Sequence, residues 1–368
     1  MVDTAFSTDY KSIVERVGQF DPEGYGATRN FLEGGVSRLS PYISRGVIST
    51  RWVYEQLIER GFAPKKMYKF IQELAWRDFF QQVWLHKGEA LHTDLLHNQS
   101  NIAHRLMPLG LERARTGIEA IDVGVNQLYD IGYMHNHMRM YVASLACNIA
   151  QSHWRTPARW MYYHLLDADW ASNALSWQWV AGSFSRKKYF ANQENINRFT
   201  GSAQRGTYLD VSYEEFPLGA IPSPLIKTIE PGLKACLPKP EPVQLDPLQP
   251  VLLYNFYNLD PAWKAHLHAN RILLLEPSVF ARYPVGEKVM DFVLKLSANI
   301  PDIQIMVAEF EELRSRVGEQ KIFFREHPLN HHYQGIEEPR LWLCQAKRYH
   351  SSFFSFWKEC EPLLVKHP

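Results

Sequence analysis

Cysteine is scarce in this sequence of 368 residues, and no two cysteines form a closely spaced pair. The four cysteines are Cys147, Cys236, Cys344 and Cys360. Without a Cys-x-x-Cys pair, neither a disulfide framework nor a zinc or iron–sulfur site has its usual spacing. His135 and His137 are two residues apart, so on a helix they point to different sides and do not fit one metal ion. We expect reduced thiols and no metal site.

An excess of charge of one sign is also missing. The chain has 40 Lys and Arg against 39 Asp and Glu, a net charge of +1, so no general field predicts nucleic-acid binding. No apolar run reaches the roughly 18 residues that a membrane span needs, and Met1–Tyr10 lacks the features of a signal peptide. We therefore expect a cytoplasmic protein with no membrane partner, in which any polyanion is bound by a local group of cations.

Tryptophan, by contrast, is abundant in the first half of the chain, where eight of the eleven lie between Trp52 and Trp179. Apolar residues recur there at helical spacing, and alternating β-branched runs are rare before residue 210. Gly132 and Gly182 are predicted helix ends. Residues 1–210 are therefore predicted to form an all-α domain. Its predicted helices include Trp52–Leu57, Met67–Leu85, Ala120–Leu128, Met138–Ile149 and Ala158–Leu166.

Proline marks the end of this domain, because nine of the 22 prolines fall between Pro217 and Pro250. So many missing amide donors exclude helix and central strand, and we interpret 211–250 as an extended Pro-rich linker. Beyond it, strand-like runs alternate with amphipathic segments, which predicts parallel βαβ units in a smaller α/β domain over 251–368. The fold class is thus mainly α. The predicted strands are Val251–Tyr257, Arg271–Leu275, Ile303–Val307 and Lys321–Phe324, and the predicted helices are a short one opened by Asp260-Pro261, Glu287–Ala298 and Phe310–Arg316.

A short polar segment, Ser37-Arg38-Leu39-Ser40, stands directly before Pro41. It offers two hydroxyls, a guanidinium and the free amides of a helix start, which together suit a pyrophosphate. The same residues also suit an ordinary helix N-cap with a surface arginine. The residues alone leave both interpretations open.

Two predicted helices carry polar groups on faces that should be buried. Glu73 and Arg77 are four residues apart and share a face with Trp76, which places an ion pair among aromatic rings. Asn136 and Arg139 bring an amide and a guanidinium to one side of a later helix. Because unpaired buried polar groups are costly, the pattern indicates an internal polar ligand; for Glu73 and Arg77, an ordinary ion pair is the alternative.

The densest polar and aromatic segment is Asp167-Ala-Asp-Trp-Ala-Ser-Asn-Ala-Leu-Ser-Trp-Gln-Trp179. Together with four earlier motifs, in this order and spacing, it resembles the FAD-binding domain of the photolyase/cryptochrome family over Tyr25 to Phe190. The resemblance implies an FAD folded into a U inside a helical domain. The earlier motifs are Tyr25–Arg29, Val36–Tyr42, Glu73–Phe79 and Met134–Met140.

The resemblance also assigns cofactor-binding residues. Asn136 and Arg139 would border the flavin ring, Asp167 and Asp169 would contact its N3–O2 edge or the ribose, and Asn173 would face flavin N5. An amide at N5 resembles the repair enzymes more than the plant cryptochromes, which have a carboxylic acid there. The diphosphate and ribityl chain would be held by Tyr25, Ser37, Arg38, Leu39 and Ser40, with Arg77 beside them.

Repair members of the family receive a flipped-out pyrimidine dimer at the mouth of the flavin cavity, and four positions match that mouth. Trp76 and Trp179 would stack on the lesion, Glu73 would hydrogen-bond a pyrimidine edge, and Met140 completes the substrate set. Arg186-Lys187-Lys188 is a candidate clamp for DNA phosphates or, equally, a solvated charge run.

The resemblance also implies a chain of three tryptophans that carries electrons to the flavin. Trp177 and Trp154 match the first two members. The surface member is missing, since its place falls near Asn101. With these two tryptophans, Asn173 and Glu73 complete the residues to which the resemblance assigns catalytic roles.

Typical members begin with an α/β domain that can hold an antenna pigment, whereas here the flavin motifs start at residue 25. We hypothesise an inverted order, in which the domain over 251–368 takes the place of the antenna domain. No glycine-rich phosphate loop of suitable spacing is present there, so an antenna chromophore stays undetermined.

The resemblance implies blue-light-driven repair of UV-induced pyrimidine dimers by electron transfer from reduced FAD, with UV-damaged DNA as the partner. This is the activity of a deoxyribodipyrimidine photo-lyase. The alternative is a cryptochrome-like photoreceptor that binds FAD and signals to a protein partner; the missing tryptophan and the near-zero charge favour it. A helical flavoprotein without photochemistry is a third interpretation.

Overall fold

The computed structural model describes residues 6–216, 219–319 and 321–366. Pro217, the first residue of the proline cluster, lies outside these ranges. So do residues 1–5 of the predicted helical domain, residue 218 of the predicted linker, and residues 320, 367 and 368 of the predicted α/β domain.

Helices dominate the first 200 residues and alternate with strands after residue 250, as the periodicity predicts. Their bounds are α1 (Tyr10–Gln19), α2 (Pro22–Thr28), α3 (Ser40–Ser44), α4 (Thr50–Glu59), α5 (Tyr68–Lys87), α6 (Leu109–Glu112), α7 (Glu119–Ile131), α8 (Asn136–Ser144), α9 (Arg155–His164), α10 (Trp170–Ala181), α11 (Gln193–Thr200), α12 (Pro277–Arg282), α13 (Glu287–Ser297), α14 (Phe310–Val317) and α15 (Phe353–Glu361).

The strands form one short antiparallel pair and one five-stranded parallel sheet in the order β5-β4-β3-β6-β7. In the large sheet, the strands Val251–Tyr254 and Asn270–Leu274 are buried along their whole length, which is typical of a parallel sheet covered on both faces. The bounds are β1 (Met107–Pro108), β2 (Thr228–Ile229), β3 (Val251–Tyr254), β4 (Asn270–Leu274), β5 (Ile303–Met306), β6 (Ile322–Arg325) and β7 (Ile336–Glu338).

The chain forms two compact units, and each is discontinuous in sequence. The first unit comprises Met1–Glu23, Ser37–His86 and Leu233–Pro368, and the second comprises Gly24–Val36 and Lys87–Gly232. The helical segment 37–86 is therefore grouped with the parallel sheet. The division of the chain into a domain over 1–210, a linker over 211–250 and a domain over 251–368 stays a prediction.

In the first unit, one apolar core joins the sheet to α14. Val251, Ile272 and Met306 of three neighbouring strands pack with Leu313 and Val317 of the helix. All five side chains are buried, and burying each stabilises the fold by roughly 1.5–3 kcal/mol. This core is what makes the region after residue 250 a layered α/β structure.

In the second unit, α10 packs against α8 and α9. Gly132 ends α7 and Gly182 ends α10, both in the left-handed conformation, which confirms the two predicted helix ends. Helix α8 carries Asn136 and Arg139, and α10 carries Asn173 and is capped by Asp169.

One local prediction needs correction. Asp260-Pro261 opens turns instead of a helix, because Lys264 adopts a positive φ of 48° that an α-helix does not admit. The segment after His327 shows no clear periodicity of apolar residues in the sequence, but it contains β7 and α15.

The described part of 211–250 is mostly without helix or strand, as the prolines predict, but it does supply the short strand β2. No helix within the described residues is both long and apolar enough to cross a membrane.

Candidate functional site

A buried ion pair lies at the start of α8 in the second unit. Arg139 Nη2 donates to Asp167 Oδ2 at 3.0 Å, and Arg139 Nε donates to the carbonyl of Met134 at 2.8 Å. The Asp167 side chain is 3% exposed and that of Arg139 is 21% exposed. A carboxylate so far from water needs a charged partner and further donors, so Asp167 is a suitable acceptor for a polar ligand.

Asp169 and Asn173 follow on the first turns of α10, both buried. Asp169 is the N-cap, and its Oδ1 accepts from the backbone amide of Ser172 at 3.0 Å. Asn173 Nδ2 donates to the carbonyl of Ala158 at 2.8 Å. This bond fixes the amide group and uses one of its two N–H donors, so the second can serve a ligand.

The two predicted relay tryptophans are both buried in the second unit. Trp154 Nε1 donates to Asp94 Oδ1 at 2.7 Å, and the Trp154 ring lies 6.4 Å from the ring of Trp170. Trp177 is enclosed on the inner side of α10. Sequence reasoning did not identify Asp94 or Trp170 as neighbours of Trp154, because neither pairing has a local spacing signal.

Trp179 is the exposed member of the predicted substrate set. Its side chain is 40% exposed, and its ring lies 5.9 Å from the ring of Tyr189. Arg186 and Lys187 are exposed nearby in sequence, whereas Lys188 is half-buried and donates to the carbonyl of Ser100 at 2.7 Å. Lys188 is therefore held by the fold, and only Arg186 and Lys187 of the predicted clamp face solvent.

The remaining predicted residues of the second unit lie on two helices. Tyr25, on α2, is half-buried, as is Met140 on α8. Asn136, the first residue of α8, is exposed. Asn136 and Arg139 thus begin the same helix but differ in burial, and Arg139 is the one engaged in a buried pair.

In the first unit, the segment Ser37–Ser40 leads into the short helix α3. The N-cap position is Leu39, and no side chain caps the helix, so the alternative of a serine N-cap does not describe this segment. Arg38 has a φ of 53°, uncommon for a residue other than glycine. Ser37 Oγ accepts from the Leu39 amide at 3.4 Å.

Arg77 of α5 is connected to the same short helix. Its Nη1 donates to Ser44 Oγ at 2.8 Å, so the guanidinium is held next to α3. Glu73, one turn earlier on α5, is half-buried. The first unit thus brings together a guanidinium and a hydroxyl-bearing segment, donors of the kind that a phosphate accepts.

Trp76 has a neighbour that the sequence did not reveal. Its indole is stacked on the ring of Phe353 of α15, with ring centroids 3.6 Å apart and planes 9° apart. The ring of Phe79, edge-on to the indole, and the tilted ring of Phe80 also lie against it. The two residues are far apart in sequence, so periodicity carried no signal for this contact.

In each unit, considered by itself, the polar side chains suit one part of an FAD molecule. The carboxylates of Asp167 and Asp169 can accept from ring N–H or ribose hydroxyl groups, and Asn173 keeps one N–H to donate. Arg77 and the serines of the segment Ser37–Ser40 provide the donors that a diphosphate requires.

Comparison with known proteins identifies the same part of the chain. The FAD-binding domain of DNA photolyase matches residues 70–210. The deoxyribodipyrimidine photo-lyase of Alkalihalophilus pseudofirmus is 32% identical over 191 residues, which cover 50% of this chain and 40% of that protein. The cryptochrome DASH of Natronomonas pharaonis is 31% identical over 195 residues, covering 49% of this chain and 40% of the relative.

A solved structure, the cryptochrome of Synechocystis sp. PCC6803, aligns with a TM-score of 0.48 at 26% identity, covering 53% of this chain and 44% of that one. This chain therefore spans less than half the length of the curated relatives named above. The match over 70–210 and the two relatives agree that the chain contains a domain similar to the FAD-binding domain of DNA photolyase.

Proposed function

We propose that this chain is a FAD-dependent enzyme that repairs UV-induced pyrimidine dimers in DNA under blue light. The observation that carries the proposal is the set formed by the half-buried Arg139 and the buried Asp167, Asp169 and Asn173, whose donors and acceptors suit a flavin. Relatives that are named deoxyribodipyrimidine photo-lyase support the reaction class.

The residues that the family resemblance selects would hold the cofactor. Asp167 and Asp169 would accept hydrogen bonds from it, Arg139 would hold the Asp167 carboxylate in position, and Asn173 would donate. Arg77 and the segment Ser37–Ser40 would neutralise the diphosphate, with Tyr25 and Asn136 as further contacts. Removing any one buried partner leaves a polar group without its hydrogen bond, at a cost of roughly 1–3 kcal/mol.

Bound and reduced, FAD would supply the photochemistry: one electron passes to the dimer after light absorption and returns when the ring has split. The chain would bind and orient the lesion. Trp179 is sufficiently exposed to stack on a base, Glu73 would hydrogen-bond a pyrimidine edge, and Met140 would line the site with Trp76. Arg186 and Lys187 would contact phosphates.

Trp177 and Trp154 would form the inner part of an electron relay. Both indoles are buried, which excludes water from the relay. The carboxylate of Asp94, bonded to Trp154 Nε1, would stabilise positive charge on that indole. An inverted placement of the α/β region over 251–368 as an antenna domain remains part of the proposal, with no pigment assigned.

The test is light-dependent repair. Full-length protein with reduced FAD is incubated with an oligonucleotide that contains one thymine dimer, in blue light and in darkness, and restored thymine absorbance is measured. We expect repair in the light only. Absence of repair in the light by protein with bound flavin would contradict the proposal.

The second candidate is a blue-light photoreceptor that binds FAD and signals to a protein partner. It is favoured by one specific observation, because the Trp76 face assigned to the lesion is covered by Phe353. Light-induced change in flavin absorbance without any dimer repair would favour this candidate.

A further inference from the structure

The contact between Trp76 and Phe353 has the geometry of stacked bases. The ring centroids are 3.6 Å apart and the planes differ by 9°, whereas most aromatic pairs in proteins are offset or edge-to-face with centroids about 4.5–7 Å apart. Phe353 is 3% exposed. One face of the Trp76 indole is therefore fully used by a residue of this same chain.

The Phe353 ring is held there by its helix. Phe356, on the same side of α15, is completely buried and packs on Phe79. In the middle of the helix, Trp357 Nε1 donates to Tyr68 Oη at 2.9 Å, and that hydroxyl donates to Oε1 of Glu361, the last residue of α15, at 3.0 Å. The stack is thus part of a packed face between α15 and α5.

Resting on the proposed function, we propose that Phe353 occupies the place of a base on Trp76 and so determines which DNA the site admits. An indole face can stack with one ring at a time. A lesion base that stacks on this face of Trp76 must displace Phe353, so undamaged DNA, whose bases remain paired and stacked, does not open this face.

The attachment of α15 to the rest of the first unit is consistent with such displacement. The segment 339–352 that precedes α15 has no helix or strand within the described residues. The segment is bonded to α5 by the Leu343 amide, which donates to Asp78 Oδ2 at 2.6 Å, and by Arg340, which donates to Gln81 Oε1 at 2.7 Å. A shift of α15 would strain these two bonds but would leave the backbone hydrogen bonds of the sheet intact.

The competition is close in energy. A base stacked on an aromatic side chain and an aromatic pair within a protein are stabilised by similar amounts. Removing the Phe353 ring should therefore tighten the binding of lesion DNA by about three- to tenfold, the range that an aromatic pair interaction corresponds to.

Phe353→Ala is the test variant, and Phe354→Ala is its matched control. Phe354 is the next residue on α15, but its ring is 67% exposed. Fluorescence anisotropy with a thymine-dimer oligonucleotide should show tighter binding by Phe353→Ala, and affinity equal to the natural chain for Phe354→Ala. In a Trp76→Ala background the gain from Phe353→Ala should vanish, because the face to be exposed is gone.

Amide hydrogen exchange provides a readout that does not depend on repair. Saturating lesion oligonucleotide should raise the exchange rate of residues 353–361 in the natural chain, while undamaged oligonucleotide should not. If Phe353→Ala destabilises the fold, Phe353→Leu keeps the apolar volume of the side chain without a flat ring, and the same increase in affinity is expected.

The inference is overturned if Phe353→Ala and Phe353→Leu bind lesion DNA no more tightly than Phe354→Ala, or if saturating lesion DNA leaves the protection of 353–361 unchanged. Repair by the natural chain with unchanged affinity in the variants would leave the proposed function standing and remove the inference. Tighter binding by the variants, with no repair by any of the proteins, would support the inference and contradict the proposed function.

Discussion

Asp169 has two separable roles, and they can be measured apart. As the N-cap of α10 it accepts from the amide of Ser172 at 3.0 Å, and Asn192 does the same for α11 through the amide of Asn195, also at 3.0 Å. Removal of either cap costs roughly 1 kcal/mol. Only Asp169 belongs to the proposed cofactor site.

Asp169→Ala should therefore lose its flavin, whereas Asn192→Ala should keep it with a similar loss of thermal stability. The ratio of flavin absorbance to protein absorbance in the purified variants measures this directly. Equal flavin content in the two variants would show that Asp169 serves the helix alone.

The buried carboxyl of Asp78 should make the stability of the fold depend on pH. Burial raises the pKa of this carboxyl from 3.8 to about 6, although it accepts from the amide of Leu343 and the hydroxyl of Thr50. A folded pKa above the unfolded one means that the folded state binds more protons between pH 4 and 6. Stability from this group is present below pH 4 and lost as the pH rises through 6.

The natural chain should thus lose up to roughly 3 kcal/mol relative to Asp78→Asn between pH 4 and pH 7. Urea unfolding of both proteins across this range measures the difference. Asp291→Asn, in an exposed pair with Lys295, is the control and should show little change. A difference that does not vary with pH would contradict the raised pKa.

Residue types and their spacing could predict the polar positions but not their neighbours. Asp167, Asp169 and Asn173 were identifiable because the motif is contiguous. The stack of Phe353 on Trp76 was not, because nothing local in the sequence encodes a contact between residues 277 positions apart.

At the scale of elements, the turn after α3 shows how a loop shape becomes obligatory. Gly46 has a φ of +65°, and a Cβ at this position would collide with the carbonyl oxygen of Tyr257. Its neighbour Arg45 is fully buried, with its guanidinium 3.5 Å from the ring centroid of Phe256. Backbone approach and cation–π contact together fix this turn against the loop after β3.

Gly46→Ala should lower the free energy of unfolding by about 3 kcal/mol, since it combines left-handed strain with a steric clash. Gly201→Ala is the comparison, with a φ of +71° and no atom near the added Cβ, and should cost about 1 kcal/mol. Chemical unfolding of both variants decides it. An equal loss of unfolding free energy in the two variants would show that the loop after β3 moves to accommodate the added Cβ, which would contradict the prediction.

Element types followed from periodicity where the apolar pattern was long. The core strands and α5, α7, α13 and α14 are confirmed at nearly their predicted bounds. The helix α15 was missed because its aromatic residues crowd its first half and show no clear period, and β7 was missed because an exposed edge strand carries little apolar signal.

On the scale of the whole molecule, the two compact units do not follow the order of the chain. The segment 37–86 belongs to the same unit as the parallel sheet, although its own pattern is purely helical. Sequence patterns describe local structure, but they do not indicate which distant segments share one core. The family match over 70–210 therefore includes residues of both units.

The cofactor content of the purified protein tests directly whether this chain binds FAD through its photolyase-type domain. The full chain is purified, offered excess FAD, separated from free flavin, and the flavin released on denaturation is identified and quantified. We expect stoichiometric FAD in the natural chain and in Asn192→Ala, and no FAD in Asp169→Ala. A natural chain that is folded by circular dichroism but neither carries nor takes up FAD would contradict this expectation.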